Sequence, residues 1–437
     1  MSDDGSAGAV TGTLVPEDLA IDLRQLVMTI AHAVDLVGVD DVLHGRRVGM
    51  LSRELALRLG WDEAVQLVLY DAGLLHDCGV SSTRVHRRLA AGLEWEGAEE
   101  HCIRGEELLA GFAPLAHLAP VVRHHHSRWE RLERQGVPLE TARLANVVFL
   151  ADRADVLAAH GRADDGVGAR RGAIRARLSA EQGRLFSAEL LDAFAGLSED
   201  DSFWLGLQPD RVQRYQLAME AHGELRLIGW QDFKRCAEIF AAIIDAKSPY
   251  TEQHSRGVAR LSRHLAGRLG LAAATCEKIE VAGMLHDIGK LQVPDEIIEG
   301  QGPLSDRERD VMRKHSRGTL EVLSRLPAID EIARWAAYHH ETPDGHGYPF
   351  RLQGAALPLE ARIINVADIF QALAQDRPYR RAMAPAEILT LLEERAAEGR
   401  ADAAVVAAVA ADLESCHGVA VSSAPAHSPS FDPALPP

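Results

Sequence analysis

The chain has 437 residues, with 47 Lys+Arg against 64 Asp+Glu and a formal net charge of −17. Its apolar share of 47% with 25% charged residues is that of a soluble globular protein with room for two or three domains, and the acidic balance argues against a nucleic-acid polymer as partner, which needs a basic face. No run nears the ~18 consecutive apolar residues of a membrane span, residues 1–16 lack a basic-then-apolar leader, and five cysteines without paired spacing fit a reduced, cytoplasmic setting.

Taken in chain order, residues 1–17 (Gly, Ser, Asp and Thr) read as a disordered tail, as do residues 417–437, rich in Pro and Ser. Between them the apolar spacing is helical almost throughout, and the fold expected is all-α: two tandem helical bundles. Domain one, residues 18–206, carries Asp35, an HGRRV string at His44 and LLHD at His76 and Asp77, then His101, His124, His125 and Asp152. A connector at 207–232 is partly helical, with 225–230 a candidate for a short strand. Domain two, residues 233–416, repeats the order with Asp245, HSRGV at His254, MLHD at His286 and Asp287, then His315, His339, His340 and Asp368. Its helices are marked by Val258, Leu261, Leu265 and Leu269, and by a Ser305/Glu308 capping box before the face Val311, His315, Thr319, Leu320 and Leu323. An offset of 210 separates Asp35 from Asp245, His44 from His254 and His76 from His286; it drifts to 214 at His101/His315, 215 at His124/His339 and 216 at Asp152/Asp368. The two units are duplicates.

A single His on an apolar helix face is ordinarily a core histidine satisfied by a backbone carbonyl, and His254 or His315 alone would be read that way. The adjacent pairs His286–Asp287 and His339–His340 are different, because burying neighbouring imidazoles with a carboxylate is costly unless something compensates. A metal compensates, and imidazole with carboxylate suits Fe, Mn, Zn or Ni better than Mg. Five histidines and two aspartates exceed one coordination shell, so two ions sharing a bridging carboxylate are expected.

The order H…HD…H…HH…D resembles the HD phosphohydrolase superfamily. The strings HDIGK (286–290), HHETPDGHGYP (339–349) and VADIFQALAQDRPYRRAM (366–383) resemble its HD-GYP branch. That resemblance covers all of domain two. It implies a metal-dependent phosphodiesterase of bacterial second-messenger signalling that linearises a cyclic dinucleotide, chiefly cyclic di-GMP and in some members cyclic GMP-AMP. Carried over by position, the metal ligands fall on His254, His286, Asp287, His315, His339, His340 and Asp368, with Asp287 bridging two divalent transition-metal ions, expected to be Fe or Mn. Lys290 then lies near the metals and the scissile phosphate, Gly347, Tyr348 and Pro349 form the signature loop, and Arg377 and Arg380 hold the substrate's phosphates and guanine. Two such cations lower the pKa of a bridging water and clamp phosphate oxygens for in-line attack, and Lys290 would neutralise charge on the phosphorane or the leaving 3′-oxygen. Two positions depart from the family. Gln371 stands where a second Asp usually follows Asp368 on the same helix face, leaving an amide to hydrogen-bond Lys290 or a metal-bound water; Tyr250 stands where members with three metals carry a carboxylate.

Domain one keeps seven ligand types at His44, His76, Asp77, His101, His124, His125 and Asp152, with Asp40 one helical turn before His44 where a further ion could sit. It has Val80 in place of Lys290, no GYP loop and no RPYR string, and it has Asp155 where domain two has Gln371. A metal-binding domain that does not hydrolyse the substrate and regulates its neighbour is expected; the plainer alternative is a structural duplicate. For the whole chain, the alternatives are a non-catalytic module binding cyclic di-GMP or a protein, and a phosphohydrolase of another nucleotide. Lys290 counts against the first and the GYP and RPYR strings against the second. The partners expected are the cyclic dinucleotide and, beyond it, a second copy or another signalling protein, with no membrane.

Overall fold

Apolar residues spaced by three and four turn nearly every described segment into helix. The computed structural model describes residues 19–38, 43–80, 82–159, 167–222, 225–245, 247, 253–300, 302–376 and 381–422. Domain one runs α1 (Leu23–Asp35), α2 (His44–Arg58), α3 (Glu63–Leu75), α4 (Thr83–Leu89), α5 (Ala98–Ala110), α6 (Ala119–His124), α7 (Trp129–Leu132), α8 (Leu139–Ala159), α9 (Val167–Ser179), α10 (Ala188–Leu197) and α11 (Asp201–Gly206). The connector contains α12 (Pro209–Glu220). Domain two follows with α13 (Trp230–Asp245), α14 (His254–Arg268), α15 (Ala273–Leu285), α16 (Asp295–Ile298), α17 (Asp306–Leu323), α18 (Asp330–Ala337), α19 (Leu359–Ala374), α20 (Pro385–Ala397), α21 (Ala403–Ala410) and α22 (Leu413–Val421). Among the described residues the strands are β1 (Ile21–Asp22) and β2 (Leu227–Ile228), paired antiparallel, the second within the stretch whose sequence suggested a strand. No single described helix is long and apolar enough to cross a membrane.

In each unit the helix that opens on the first histidine packs along the helix that ends at the His-Asp pair, α2 on α3 and α14 on α15. Small residues set how close they come. A Cβ on Gly73 would fall 2.7 Å from Gly49 Cα, and one on Gly283 would fall 2.9 Å from Ala259 Cα; these positions are again 210 apart. Val258, Leu261 and Leu265 are buried on α14 as their spacing requires, each worth roughly 1.5–3 kcal/mol on removal from water. The capping box of α17 is formed, with Ser305 Oγ accepting from Glu308 N at 3.3 Å and the Glu308 carboxylate accepting from Ser305 N at 2.8 Å.

The chain's end corrects one expectation. Composition placed the tail from 417, yet α22 continues to Val421 because Ala420 is buried and Arg260 of α14 donates to the carbonyls of Val419 and Ser422 at 3.3 and 2.6 Å. The expected tail at 1–17 and the remainder of the second tail lie outside the described residues.

The units meet reciprocally. α1 of domain one packs on α17 of domain two, and Arg104 of α5 donates to the Ala242 carbonyl of α13 at 2.6 Å. At the seam, Asp295 opens α16 and accepts from the Thr83 and Arg84 amides of α4 at 3.1 and 3.0 Å. Buried Lys247 donates to Thr83 Oγ1 at 3.0 Å and lies 3.3 Å from Asp295 Oδ1.

Candidate metal centre

Five helices, α14, α15, α17, α18 and α19, bring the domain-two ligands together, and local hydrogen bonds orient their rings. The Nδ1–H groups of His286, His315 and His339 donate to the carbonyls of Gly283, Met312 and Ala336, three residues earlier, at 2.7, 2.6 and 2.6 Å. His254 Nδ1 donates to Gln371 Oε1 at 2.5 Å. With Nδ1 engaged, each Nε2 presents a lone pair to the interior, where Asp287 sits between them. Asp287 Oδ2 is 3.2 Å from His286 Nε2 and 3.7 Å from His254 Nε2. Its Oδ1 is 3.5 Å from His315 Nε2 and 3.9 Å from His339 Nε2. Asp368 Oδ1 lies 3.2 Å from His254 Nε2, and the donors of His315, His339 and His340 lie within 4.8 Å of one another. Two sets result, joined by one carboxylate: His254, His286 and Asp368 on one side, His315, His339 and His340 on the other.

These groups fit cations. His286 Nε2 and Asp287 Oδ1 are buried with no hydrogen-bond partner, an arrangement that costs stability unless something electropositive fills it. His315 Nε2 faces His339 Nε2 at 3.3 Å, a lone-pair-to-lone-pair approach that a positive ion makes favourable. Burial pushes His315 down to about 4 and His340 to about 3, and it holds His339 well below the ordinary histidine range, so all three are neutral ligands. Burial alone would raise Asp287, but the charges of His286 and Lys290 outweigh it and hold the carboxyl well below its usual range. The donors are imidazole nitrogen and carboxylate oxygen, a set that suits divalent transition metals such as Fe, Mn and Zn.

Around this centre, Lys290 Nζ is 2.6 Å from Asp287 Oδ2 and 25% exposed, so it lies between the carboxylate and the mouth of the site. Gly347 is required by proximity, since a Cβ there would sit 2.5 Å from the Thr342 amide. Tyr348 lays its ring against that of His340, centroids 4.7 Å apart, and precedes Pro349. Gln371 does not reach Lys290 or the mouth as its sequence position suggested; its oxygen is committed to His254 and its Nε2 is buried without a partner. Arg377, Arg380 and Tyr250 lie outside the described residues. Two participants escaped the sequence reading. Buried Glu341 accepts from the amides of Phe350, Arg351 and Leu352 at 2.6, 3.2 and 2.9 Å, stapling the GYP loop; exposed Arg313 places its guanidinium 5.2 Å over the Tyr348 ring. The signal for Glu341 was its place inside the HHETPDGHGYP string; Arg313 had none.

Domain one rebuilds the same cage with one change of register. His76 Nδ1 donates to Gly73 O at 2.8 Å and His125 Nδ1 to Val122 O at 2.6 Å, while His44 Nδ1 donates to Asp155 Oδ2 at 2.7 Å. Asp77 Oδ2 lies 3.4 Å from His76 Nε2, and Oδ1 lies 3.4 Å from His101 Nε2 and 4.0 Å from His125 Nε2. His124, expected as a ligand, is not among them: it is half-buried and its Nδ1 lies 3.3 Å from Ser127 Oγ. His126 takes the place instead, within 4.8 Å of the donors of Asp77, His101 and His125. The ring that back-bonds three residues upstream is His125, the counterpart of His339, which keeps the offset at 214. Val80 is buried where Lys290 reaches the mouth, and Asp40 lies outside the described residues.

Two HD-domain models match the chain, over residues 42–160 and 238–405. The chain is 34% identical, over 93% of its length and 95% of the relative's, to the 3′3′-cGAMP-specific phosphodiesterase 1 of Vibrio cholerae. It is 36% identical over 50% of its length, and 47% of the relative's, to 3′3′-cGAMP-specific phosphodiesterase 3 of the same organism. To the cyclic di-GMP phosphodiesterase response regulator RpfG of Xanthomonas campestris pv. campestris it is 45% identical, over 27% of this chain and 33% of that one. A crystal structure of a cyclic GMP-AMP-specific phosphodiesterase from Vibrio cholerae shares the fold, with a TM-score of 0.62 at 24% identity over 90% of this chain and 98% of that one.

Proposed function

Since the chain belongs to the HD-GYP family of HD phosphohydrolases, with two HD domains in tandem, we propose that domain two hydrolyses a 3′3′-cyclic dinucleotide to the linear dinucleotide, cyclic GMP-AMP in preference to cyclic di-GMP. The observation that carries the reading is the pair of inward-facing donor sets joined through Asp287, with Lys290 against that same carboxylate. The order of substrates is supported by coverage. The Vibrio cholerae relative matched through both domains is named for 3′3′-cGAMP, whereas RpfG, named for cyclic di-GMP, matches 27% of the chain.

Divalent cations, Fe or Mn, held by His254, His286, Asp287, His315, His339, His340 and Asp368 would supply Lewis acidity toward the phosphate and acidify the attacking water. The chain's own groups do the rest. Lys290 Nζ presents a fixed positive charge at the mouth, where it can stabilise charge building on the phosphate and donate a proton to the leaving 3′-oxygen. Tyr348, backed by His340, offers a flat wall to a base, and Arg313 sets a guanidinium beside it for the second phosphate. Glu341 fixes the loop that carries Tyr348, so the wall is in place before substrate arrives. Domain one lacks both Lys290 and this loop, which supports a regulatory rather than a hydrolytic role.

The test is to load the full chain anaerobically with Fe(II) or Mn(II), incubate it separately with 3′3′-cGAMP and cyclic di-GMP, and separate the products by chromatography. Linear product from 3′3′-cGAMP at the higher kcat/KM is expected. Faster turnover of cyclic di-GMP would overturn the substrate order alone, and no linear product from either, with metal bound, would overturn the enzymatic reading.

A further inference from the structure

His126 and His340 hold the same place in the two cages, yet their outer faces differ. Tyr348 covers the ring of His340, with centroids 4.7 Å apart. The chain after His126 has no GYP loop, and the His126 ring borders a cavity of about 430 Å³ instead. That is room for a small organic ligand. His126 is the partition between cavity and cage. Its ring lines the cavity, while its Nε2, buried without a hydrogen-bond partner, lies within 4.8 Å of the donors of Asp77, His101 and His125.

The lining says what enters. Three guanidiniums, of Arg123, Arg128 and Arg131, meet the Trp95 indole there. Glutamates stand among them, but two are already taken: Glu94 is shared by Arg128 and Arg184 at 2.6 and 2.7 Å, and Glu99 accepts from Arg123 at 3.0 Å. The third, Glu96, is exposed to solvent. Arg131 has no carboxylate partner among the described residues. The cage behind His126 adds charge of the same sign. Asp77, Asp152 and Asp155 are set against the guanidiniums of Arg47 and Arg153, which leaves one net negative charge before any ion enters. With neutral imidazoles as ligands, one divalent ion already turns the cage positive and a second adds to it. A cavity beside such a charge draws an anion. Trp95 supplies a flat surface next to it. Gly97 lets the indole lie there, since a Cβ at 97 would sit 2.2 Å from its Cζ2, and Arg88, outside the lining, lies 5.8 Å from the ring centroid. No ammonium awaits a leaving oxygen, because Val80 is buried where domain two has Lys290.

We propose that this cavity is an effector site for a nucleoside monophosphate, with the phosphate on Arg131 beside Arg123 and Arg128 and the base against Trp95, bound without being cleaved. The proposal goes beyond hydrolysis by domain two and rests only on domain one holding an ion. Because His126 is both cavity wall and metal donor, ligand and ion bind with positive coupling, and the coupling is reciprocal. The test uses a full-length His286→Ala/Asp287→Ala variant, whose domain two cannot assemble its cage. Loaded with Mn(II) and freed of excess, it is titrated calorimetrically with AMP, GMP and inorganic phosphate. One nucleotide per chain is expected, bound more tightly than phosphate and recovered intact. Heat from none of the three would overturn the site, phosphate bound as tightly as either nucleotide would overturn the organic part of the assignment, and released phosphate would overturn binding without cleavage. Trp95→Ala should weaken nucleotide binding about tenfold, and Arg131→Glu should weaken it by about 10–100-fold or more; unchanged affinity in Arg131→Glu would place the ligand elsewhere. Saturating nucleotide should raise the Mn(II) affinity of domain one, read by chelator competition, by about fivefold or more, and equal affinities would sever the cavity from the cage. Should the double variant fail to fold, Arg131→Glu in the wild-type chain must remove one nucleotide-binding event, and an unaltered stoichiometry there would refute the assignment.

Discussion

Replacing Asp295 by Ala tests whether the two units are held by the seam between them. The substitution removes the acceptor of the first two amides of α4, a capping interaction worth about 1 kcal/mol. It also leaves Lys247, 2% exposed, without its counter-ion. Removing one partner of a buried ion pair costs about 3–5 kcal/mol, reduced here because Lys247 keeps Thr83 Oγ1 at 3.0 Å. A net loss of about 3 kcal/mol is expected, which for a unit of this size lowers Tm by about 6–12 °C, or about half that if both units melt together. Asp295→Asn, which keeps an acceptor and loses the charge, should fall between. Scanning calorimetry of both variants, with Lys247→Met and the double variant, closes the cycle; the double variant should lose less than the two single losses combined. The linkage has a definite sign. Burial would raise the Asp295 carboxyl, but the Arg84 and Thr83 amides and Lys247 outweigh it and hold it below the usual range. Its contribution is thus present above the ordinary carboxylate pKa and fades as pH falls through the depressed one. An Asp295→Ala protein melting within about 1 °C of wild type at neutral pH would refute the reasoning.

Lys290→Ala should retain domain-two metal and lower kcat by about 10²–10³, as expected for loss of one preorganised charge; unchanged turnover would remove Lys290 from the reaction. Gln371→Leu takes away the oxygen that orients His254, so metal affinity measured by competition with a chelator should fall by about 10–100-fold, and an unaltered affinity would mean the ring needs no such hold. His32 lies 2.6 Å from Arg46, and burial, then the charges of Arg325 and Arg46, push its pKa down to about 3. The folded group stays neutral while the unfolded one protonates below about 6.5, so its contribution is intact above that pH and declines toward 3. Between pH 7.5 and 5 the wild type should lose about 2 kcal/mol more stability in urea than His32→Asn; equal losses would contradict the assignment.

Much of the architecture was legible because helix periodicity and ligand order repeat at a fixed interval. Val258, Leu261 and Leu265 mark a buried face, and an offset of 210 carries His44 onto His254 and His76 onto His286. The failure at His124 came from a run of three identical residues, where composition cannot say which ring turns inward. The i−3 carbonyl decides it in the folded chain, and holding the offset at the 214 of His101/His315 would have selected His125 and His126. Arg153, whose guanidinium donates to Asp152 Oδ2 and to the carbonyls of Leu89 and Gly92, was silent for another reason: a cation beside a ligand gains meaning only when packing shows which oxygen it covers and which carbonyls anchor it. The role of Glu341 likewise depends on a loop closing over it, and Ala420 was misjudged because the segment after 416 is Pro- and Ser-rich in composition while buried Ala420 brings its carbonyl up against Gly257 of α14.

The reciprocal contact, α1 on α17 and α5 on α13, has the form of an isologous interface, the kind two identical subunits make across a dyad. A true homodimer must present every residue of such a face twice, so an improvement on one side is imposed on the other. Joined in one polypeptide, the faces are released from that constraint. Lys247 stands at the repeat position of Val37, an ammonium in one copy and an apolar side chain in the other. The same freedom reaches the cages beyond the interface: one copy could carry Val80 and no GYP loop while the other kept Lys290 and its loop, without either change having to be tolerated in both.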